Sequence, residues 1–192
     1  MKKTRRLLAL LLAMVMMLAL TVTAGAEEVT TTAAKSEITV IYTNDVHTYI
    51  DKTLSYATVS AMKQDYQKAG KQVLLVDAGD HIQGTAYGGM DEGKTIVQLM
   101  NAAGYDIATL GNHEFDYGMA RALATVEEAK FPYVSCNFYH EKNGVAGDPV
   151  LESYKVFDMN GTKVAFVGIT TPESFTKSTP AYFQDANGKY IY

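Results

Sequence analysis

Three short segments of the sequence hold the side chains that could do chemistry. They read NDVH at 44–47, GDHIQGT at 79–85 and GNHEFD at 111–116. Together they offer carboxylates, imidazoles and an amide oxygen, which is a mixed ligand set that suits divalent ions such as zinc, manganese or iron. The segments therefore predict a metal site, provided that the fold brings them together.

Four residues are the candidate metal ligands. Asp45 and His47 are separated by one residue, so in an extended segment both side chains would point the same way and could hold one cation. Asp80 adds a carboxylate whose two oxygens could bridge two cations, and Asn112 adds a neutral amide oxygen. These types predict a site with room for more than one divalent ion.

Two further residues are the candidates for proton chemistry. His113 follows Asn112 directly, so it would lie beside the metals as an acid or an electrostatic helper. Asp116 comes three residues later and could orient the imidazole and favour its charged form. Each motif has a bland alternative when taken alone: a polar strand end, a Gly-Asp turn, or a helix cap at Asn112 or Asp116.

The surrounding pattern predicts an α/β fold with a parallel sheet. Apolar, β-branched runs alternate with segments of helical spacing, and each polar motif directly follows such a run. The carboxyl ends of parallel strands share one edge of the sheet, where ligands bind. The predicted strands are 38–43, 73–77, 106–110 and a fourth that starts at Pro132, and the predicted helices are 54–69, 96–103 and 117–130, with Leu123 and Val126 facing inward in the last.

The last third of the chain predicts a β-hairpin. Residues 154–159 and 162–170 flank Asn160-Gly161, a pair that favours a tight turn because both residues tolerate positive φ. Asn160 also begins an Asn-Gly-Thr glycosylation acceptor, but the hairpin explains the sequence better. Cys136 is the only cysteine, which excludes an internal disulfide and predicts a buried, inert thiol.

The N-terminal sequence predicts export. A basic start is followed by an apolar run at 7–22 and by Ala24 and Ala26, the order of a secretory signal peptide. The predicted organisation is a signal peptide at 1–26, a flexible lead-in at 27–36 and one domain at 37–192. The apolar run is short for a membrane span, so no stable span is expected after cleavage.

The charge balance argues against nucleic acid as a partner. The signal peptide would remove four of the 17 basic residues and none of the 21 acidic ones, which leaves a net charge of −8. Nonspecific nucleic-acid binding depends on Lys and Arg contacts to phosphate. The expected partner is a small molecule.

The three motifs resemble those of the calcineurin-like metallophosphoesterases, and in particular the exported 5′-nucleotidase and UDP-sugar hydrolase branch. The matching stretches are TNDVH, DAGDHIQGT, LGNHEFDYG and, more loosely, VAFVGITTPE, within residues 38–175. The resemblance implies an α-β-β-α sandwich and two divalent metal ions, which activate water to attack phosphate monoesters of nucleotides. It implies that Asp45 and His47 bind the first metal, that Asp80 bridges both, that Asn112 binds the second, and that His113 and Asp116 form the catalytic dyad.

Other polar residues receive lesser roles from the resemblance. His81 is expected to be a neighbour of the site, Glu114 to support its loop, and His140 to lie in a solvated loop. Gln83, Gly84 and Thr85 match a motif that shapes the site, and Thr48 stands where the family usually has glycine.

The chain also departs from the family pattern. The family completes its metal shell with later histidines, and no histidine follows His140. The fold is therefore expected to be truncated after the first sheet and the start of the second, with one sheet face bare. Two alternatives stay open: a non-catalytic remnant or metal-binding module, and a hydrolase of the same superfamily acting on other phosphate or sulfur esters.

Overall fold

The computed structural model describes residues 37–192. The predicted signal peptide at 1–26 and the lead-in at 27–36 lie outside the described residues and stay predictions. Within residues 37–192, no helix is both long enough and apolar enough to cross a membrane.

A three-stranded parallel sheet carries the fold, as the sequence predicts. Its strands are β1 (Ile38–Thr43), β2 (Gln72–Asp77) and β3 (Ile107–Ala108), in the order β1-β2-β3. Thr43 pairs with Asp77, and Asp77 pairs with Ala108, so the three strands end in one row. The loops that follow them therefore leave the sheet along the same edge.

Four helices pack around the sheet: α1 (Tyr56–Lys68), α2 (Ala86–Gly89), α3 (Lys94–Ala103) and α4 (Met119–Glu128). Ser55 caps α1 by accepting a hydrogen bond from the backbone N–H of Thr58, and Gly104 ends α3 at a φ of 81°. The buried core joins β2, α3 and the segments after β3, and it includes Leu75, Ile96, Met100, Leu110, Phe115 and Phe183.

The prediction for the inward face of α4 is correct for Val126, which is partly buried and packs against the core. Leu123 is only partly buried, whereas Arg121, Ala122 and Thr125 are buried. Arg121 can be buried because its guanidinium forms two hydrogen bonds with the Glu128 carboxylate, at 2.9 and 2.6 Å.

The third and fourth strands are shorter than predicted. The carboxylate of Asp106 accepts hydrogen bonds from the backbone N–H of Leu75 and from the ammonium of Lys63. At the start of β3 the Leu75 N–H of β2 is therefore bonded to a side chain and not to a backbone carbonyl of β3. The segment from Pro132 forms only isolated bridges, from Tyr133 to Ala108 and from Val134 to Glu152. Beyond these bridges the chain turns away from β3, since the backbone N–H of Cys136 donates to Gly168.

Two antiparallel hairpins follow. Strands β6 (Tyr154–Met159) and β7 (Thr162–Val167) confirm the predicted hairpin, with Asn160 and Gly161 at φ of 51° and 86°. Strands β4 (Tyr139–Lys142) and β5 (Val145–Pro149) form a hairpin that was not predicted, although the same signal, Asn143-Gly144, was present. A short helix, α5 (Ser174–Lys177), and a 3₁₀ turn at Pro180–Phe183 complete the chain.

Two local expectations concern exposed residues. His140 is exposed, as expected, but it lies on β4 instead of in a loop, and its ring is 5.0 Å from that of Tyr192. Apolar side chains are exposed on β1 and on the second hairpin, including Tyr42 at 72% and Val167 at 61%. These exposed strand residues fit the expectation of a bare sheet face.

Candidate metal centre

The three polar motifs meet at Asp80. The backbone N–H of Asp45 donates to the carbonyl of Gly79 at 3.1 Å, and that of His47 donates to the carbonyl of Asp80 at 3.0 Å. From the third loop, the N–H of His113 donates to the Asp80 carboxylate at 2.8 Å. The loop after β2 is thus fixed between the loops after β1 and β3.

Glycines allow these loops to approach so closely. A Cβ atom at Gly79 would lie 2.5 Å from the backbone nitrogen of Gly111. A Cβ atom at Gly84 would collide with the carbonyl of His47, and one at Gly111 would collide with the Asp80 carboxylate. The resemblance assigned only a shaping role to Gly84, and its contact with His47 explains that role.

The prediction of an extended segment at Asp45 and His47 is wrong. Both residues have left-handed backbone conformations, with φ of 54° and 46°, as do Thr48 and Asp80 at 60° each. Such conformations are uncommon outside glycine, asparagine and aspartate, and they collect at functional sites. The turn still brings the side chains together, because His47 Nε2 lies 3.7 Å from Asp45 Oδ1.

Thr48 occupies its left-handed position through hydrogen bonds. Its hydroxyl accepts from the backbone N–H of Thr85 and bonds the Thr85 hydroxyl, each at 2.7 Å, and the side chain is fully buried. A threonine in place of the usual glycine therefore adds a link between the first and second loops.

His47, Asp80 and His113 form one cluster. Each offers a ligand atom, and these atoms all lie within 4.8 Å of one another. The N–H at Nδ1 of His47 donates to the carbonyl of Gln83 at 3.0 Å. The N–H at Nδ1 of His113 donates to Asp116 Oδ2 at 2.6 Å. In both rings the remaining nitrogen, Nε2, is not used by these hydrogen bonds and faces the cluster.

Asp45 lies at the border of this cluster, with 57% of its side chain exposed. Burial raises the pKa of Asp80, and Glu114 and Asp45 add to this effect, although the hydrogen bond from His113 opposes it. Because these surroundings disfavour the charged form of the Asp80 carboxyl group, a cation beside it would stabilise the carboxylate.

Asn112 completes the candidate set. It is 8% exposed, and its side chain makes no capping hydrogen bond to the 3₁₀ turn at His113–Phe115. The amide oxygen is therefore not used as a helix cap, which was the alternative role predicted for it. The donor set of Asp45, His47, Asp80 and Asn112, with His113 beside it, fits divalent metal ions in its chemistry.

The Glu114 carboxylate connects the loop after β2 to the loop after β3. Its side chain is fully buried, and its two oxygens accept hydrogen bonds from the backbone N–H groups of Asp80, His81 and Gly111 at 2.9, 2.8 and 2.6 Å. One carboxylate thus ties the second loop to the third, which agrees with the supporting role expected for it.

His81 has both ring nitrogens occupied. Nδ1 donates to Asp77 Oδ1 at 2.8 Å, and Nε2 lies 2.7 Å from the hydroxyl of Tyr133. Burial disfavours the charged ring, but Glu114 and Asp77 outweigh burial and raise the pKa of His81 to about 9. His81 is thus a buried cation beside the site without a free nitrogen for a metal. Sequence reasoning missed its partners Asp77 and Tyr133; the four-residue spacing of Asp77 and His81 was the available signal.

Comparison with known proteins identifies the family. The sequence profile described as calcineurin-like phosphoesterase matches residues 38–187. The chain belongs to this family. Human 5′-nucleotidase is 35% identical to the chain over 161 residues, which cover 75% of the chain and 28% of the human protein. A snake venom 5′-nucleotidase from Gloydius brevicauda is 33% identical over 164 residues, covering 77% of the chain and 28% of the venom protein.

Solved structures agree with this family assignment. The NAD nucleotidase of Haemophilus influenzae superposes with a TM-score of 0.64 at 27% identity, covering 80% of the chain and 29% of that protein. This calcineurin-like phosphoesterase chain therefore spans less than a third of the length of these relatives. Its parallel sheet with helices is the α/β arrangement expected from the resemblance.

Proposed function

We propose that the chain is part of an exported dimetal phosphoesterase that hydrolyses phosphate monoesters of nucleotides. One observation carries the proposal: three loops of a calcineurin-like phosphoesterase fold bring His47, Asp80 and His113 within 4.8 Å of one another. Relatives named 5′-nucleotidase support the substrate class. The signal-peptide pattern at 1–26 supports export.

The metal ligands in this proposal are those predicted from the sequence. Asp45, His47 and Asp80 would hold one ion, and Asp80 and Asn112 would share in holding a second. Two divalent cations, such as zinc, manganese or iron, would supply an activated water and stabilise the attacking and leaving oxygens at phosphorus.

His113 and Asp116 would form the dyad that protonates the leaving oxygen. Asp116 accepts the Nδ1 proton of His113, which fixes the ring and leaves Nε2 toward the cluster. A proton held at Nε2 would pass to the leaving oxygen as the phosphorus–oxygen bond breaks. Before that, the same charged ring would stabilise negative charge on the phosphate.

A second candidate is a metal-binding module without catalysis. Within residues 37–192, the predicted ligands of the second metal number only two, Asp80 and Asn112. Structural and catalytic metal sites in proteins generally use three or four protein ligands. This candidate predicts one tightly held ion and no phosphate release.

The test is phosphate release from AMP by the full-length gene product with added manganese or zinc. His113→Ala is expected to lower turnover by about 100-fold or more, since general acid–base groups contribute that much, while bound metal is retained. His140→Ala, which changes an exposed histidine on β4, is the control. Normal turnover in His113→Ala would exclude the assigned role. Metal binding without any phosphate release by the unmodified protein would favour the binding module.

A further inference from the structure

Thr48 has a backbone conformation that is unfavourable for its side chain. Its φ is 60°, in the left-handed region, where β-branched residues are rare because the side chain collides with the backbone. Glycine adopts the same region without this collision. Strained residues persist only where their surroundings hold them, and they collect at functional sites. Thr48 directly follows the candidate ligand His47, so the strain lies beside the candidate metal centre.

The surroundings of Thr48 fit both branches of its side chain, which is fully buried. A Cβ atom at Gly88 of α2 would lie 2.6 Å from Thr48 Cγ2, so the threonine methyl group has room because residue 88 is glycine. The hydroxyl group meets Thr85, the residue that caps α2. The methyl and hydroxyl groups therefore both contact the second loop and the helix that follows it.

The hydrogen bonds between Thr48 and Thr85 are reciprocal. The Thr48 hydroxyl accepts from the backbone N–H of Thr85 at 2.7 Å, and the Thr85 hydroxyl donates to the carbonyl of Thr48 at 3.2 Å. The two hydroxyl oxygens are 2.7 Å apart and share a further hydrogen bond. We call these three bonds the Thr48–Thr85 clasp. A glycine at position 48 would keep only the bond to its carbonyl.

The clasp lies next to the contacts that orient the His47 ring. The backbone N–H of His47 donates to the carbonyl of Asp80, and its Nδ1 donates to the carbonyl of Gln83, at 3.0 Å each. Thr48 is adjacent to His47, and Thr85 comes two residues after Gln83. The clasp therefore fixes the two chain segments between which the His47 ring is held.

We infer that Thr48 is a positioning residue of the first metal site: through Thr85 it holds the His47 ring and the carbonyl of Gln83 in the orientation that binds the ion. The inference rests on the metal site of the proposed function and adds to it a residue outside the ligand set. Removing a group that orients a metal ligand typically lowers metal affinity by about 10- to 100-fold.

Manganese binding to the full-length gene product, measured by isothermal titration calorimetry, tests this inference. Thr48→Val keeps the shape of the side chain but removes the hydroxyl, and it is expected to weaken binding about tenfold, the lower end of that range. Thr48→Gly should weaken binding to a similar extent, and because it also relieves the strained backbone, it tests the role without a risk to folding. Thr48→Ser keeps the hydroxyl and should restore most of the affinity.

Thr125→Val is the matched control. Thr125 is also fully buried, and among the described residues its hydroxyl has no hydrogen-bond partner. Manganese affinity should therefore be unchanged in Thr125→Val. The absorption spectrum of the cobalt-loaded protein, which depends on the geometry of the ligands, should change in Thr48→Gly and stay the same in Thr125→Val. A loss of stability alone would not change this spectrum.

The outcomes separate this inference from the proposed function. If Thr48→Gly matches Thr125→Val in manganese affinity and in cobalt spectrum, or if Thr48→Ser binds as weakly as Thr48→Gly, the inference is overturned. Manganese binding without phosphate release by the unmodified protein would overturn the proposed function alone. Absence of manganese binding in the unmodified protein would overturn both.

Discussion

Two of the histidine–aspartate pairs close to Asp80, His81–Asp77 and His113–Asp116, have opposite surroundings. His81 and Asp77 are 2.8 Å apart, and both side chains are fully buried. His113 and Asp116 are 2.6 Å apart, with side-chain exposures of 31% and 23%. The contact between ring and carboxylate is nearly the same in the two pairs.

The second ring nitrogen makes the difference. In His81 it meets the hydroxyl of Tyr133, so the pair is closed and can only stabilise the fold. In His113 it belongs to the cluster with His47 and Asp80, so it can meet a ligand. A carboxylate beside a histidine is therefore not enough to mark a reactive pair, and the partner of the second nitrogen must also be known.

Alanine substitutions should separate the two pairs most strongly. His81→Ala leaves Asp77 buried without its cation and is expected to destabilise the chain by about 3–5 kcal/mol. His113→Ala removes a partly exposed ring and should cost less than about 1 kcal/mol. Urea unfolding of both variants measures the difference, and His140→Ala serves as the control for an exposed histidine. Similar losses of unfolding free energy in His81→Ala and His113→Ala would show that the two pairs do not differ in their contribution to stability.

Sequence reasoning predicted the sheet and the gathering of the site, because strand-like runs and polar motifs are local signals. Ile38–Thr43 and β2 were found almost to the residue, and the motifs after them do converge. Sequence reasoning failed where contacts with residues distant in the sequence determine the local structure. His47 has a left-handed backbone and donates its N–H to the carbonyl of Asp80, and no local sequence pattern predicts that bond.

The His81–Asp77 pair could not be predicted from the sequence for the same reason. Tyr133 is 52 positions from His81, and Glu114 is 33 positions away, so only the folded chain brings them together. From the sequence, Asp77 was predicted to be the last residue of a buried strand. Its role as the partner of His81 was therefore not predicted. Sequence alone could propose that His113 reacts and that His81 does not, but it could not say why.

The free energy of unfolding should depend on pH because His81, in its pair with Asp77, changes its protonation state. The pKa of His81 is raised to about 9 in the folded chain, against about 6.5 for an unfolded histidine. A raised pKa means that the protonated ring stabilises the fold fully below pH 6.5 or so, and that this contribution is lost as pH rises toward 9.

Unfolding free energies of the metal-free protein, measured with a chelator between pH 6 and 9.5, should therefore fall with rising pH by at most about 3 kcal/mol. His81→Gln should flatten this dependence, since it cannot titrate. A ring-proton NMR titration of His81 checks the pKa directly. An equal slope in the unmodified protein and in His81→Gln would assign the dependence to other groups.

The smallest change tests whether Tyr133 closes the pair. Tyr133→Phe keeps the buried ring but removes the hydroxyl from His81 Nε2, which leaves that nitrogen buried without a partner. The expected cost is about 1–2 kcal/mol in urea unfolding, the penalty of one unsatisfied buried group. Tyr139→Phe removes a half-buried hydroxyl that donates to the carbonyl of Cys136, and it should cost less. If Tyr133→Phe costs no more than Tyr139→Phe, then carboxylate contact and burial alone hold His81, and exposure is what distinguishes it from His113.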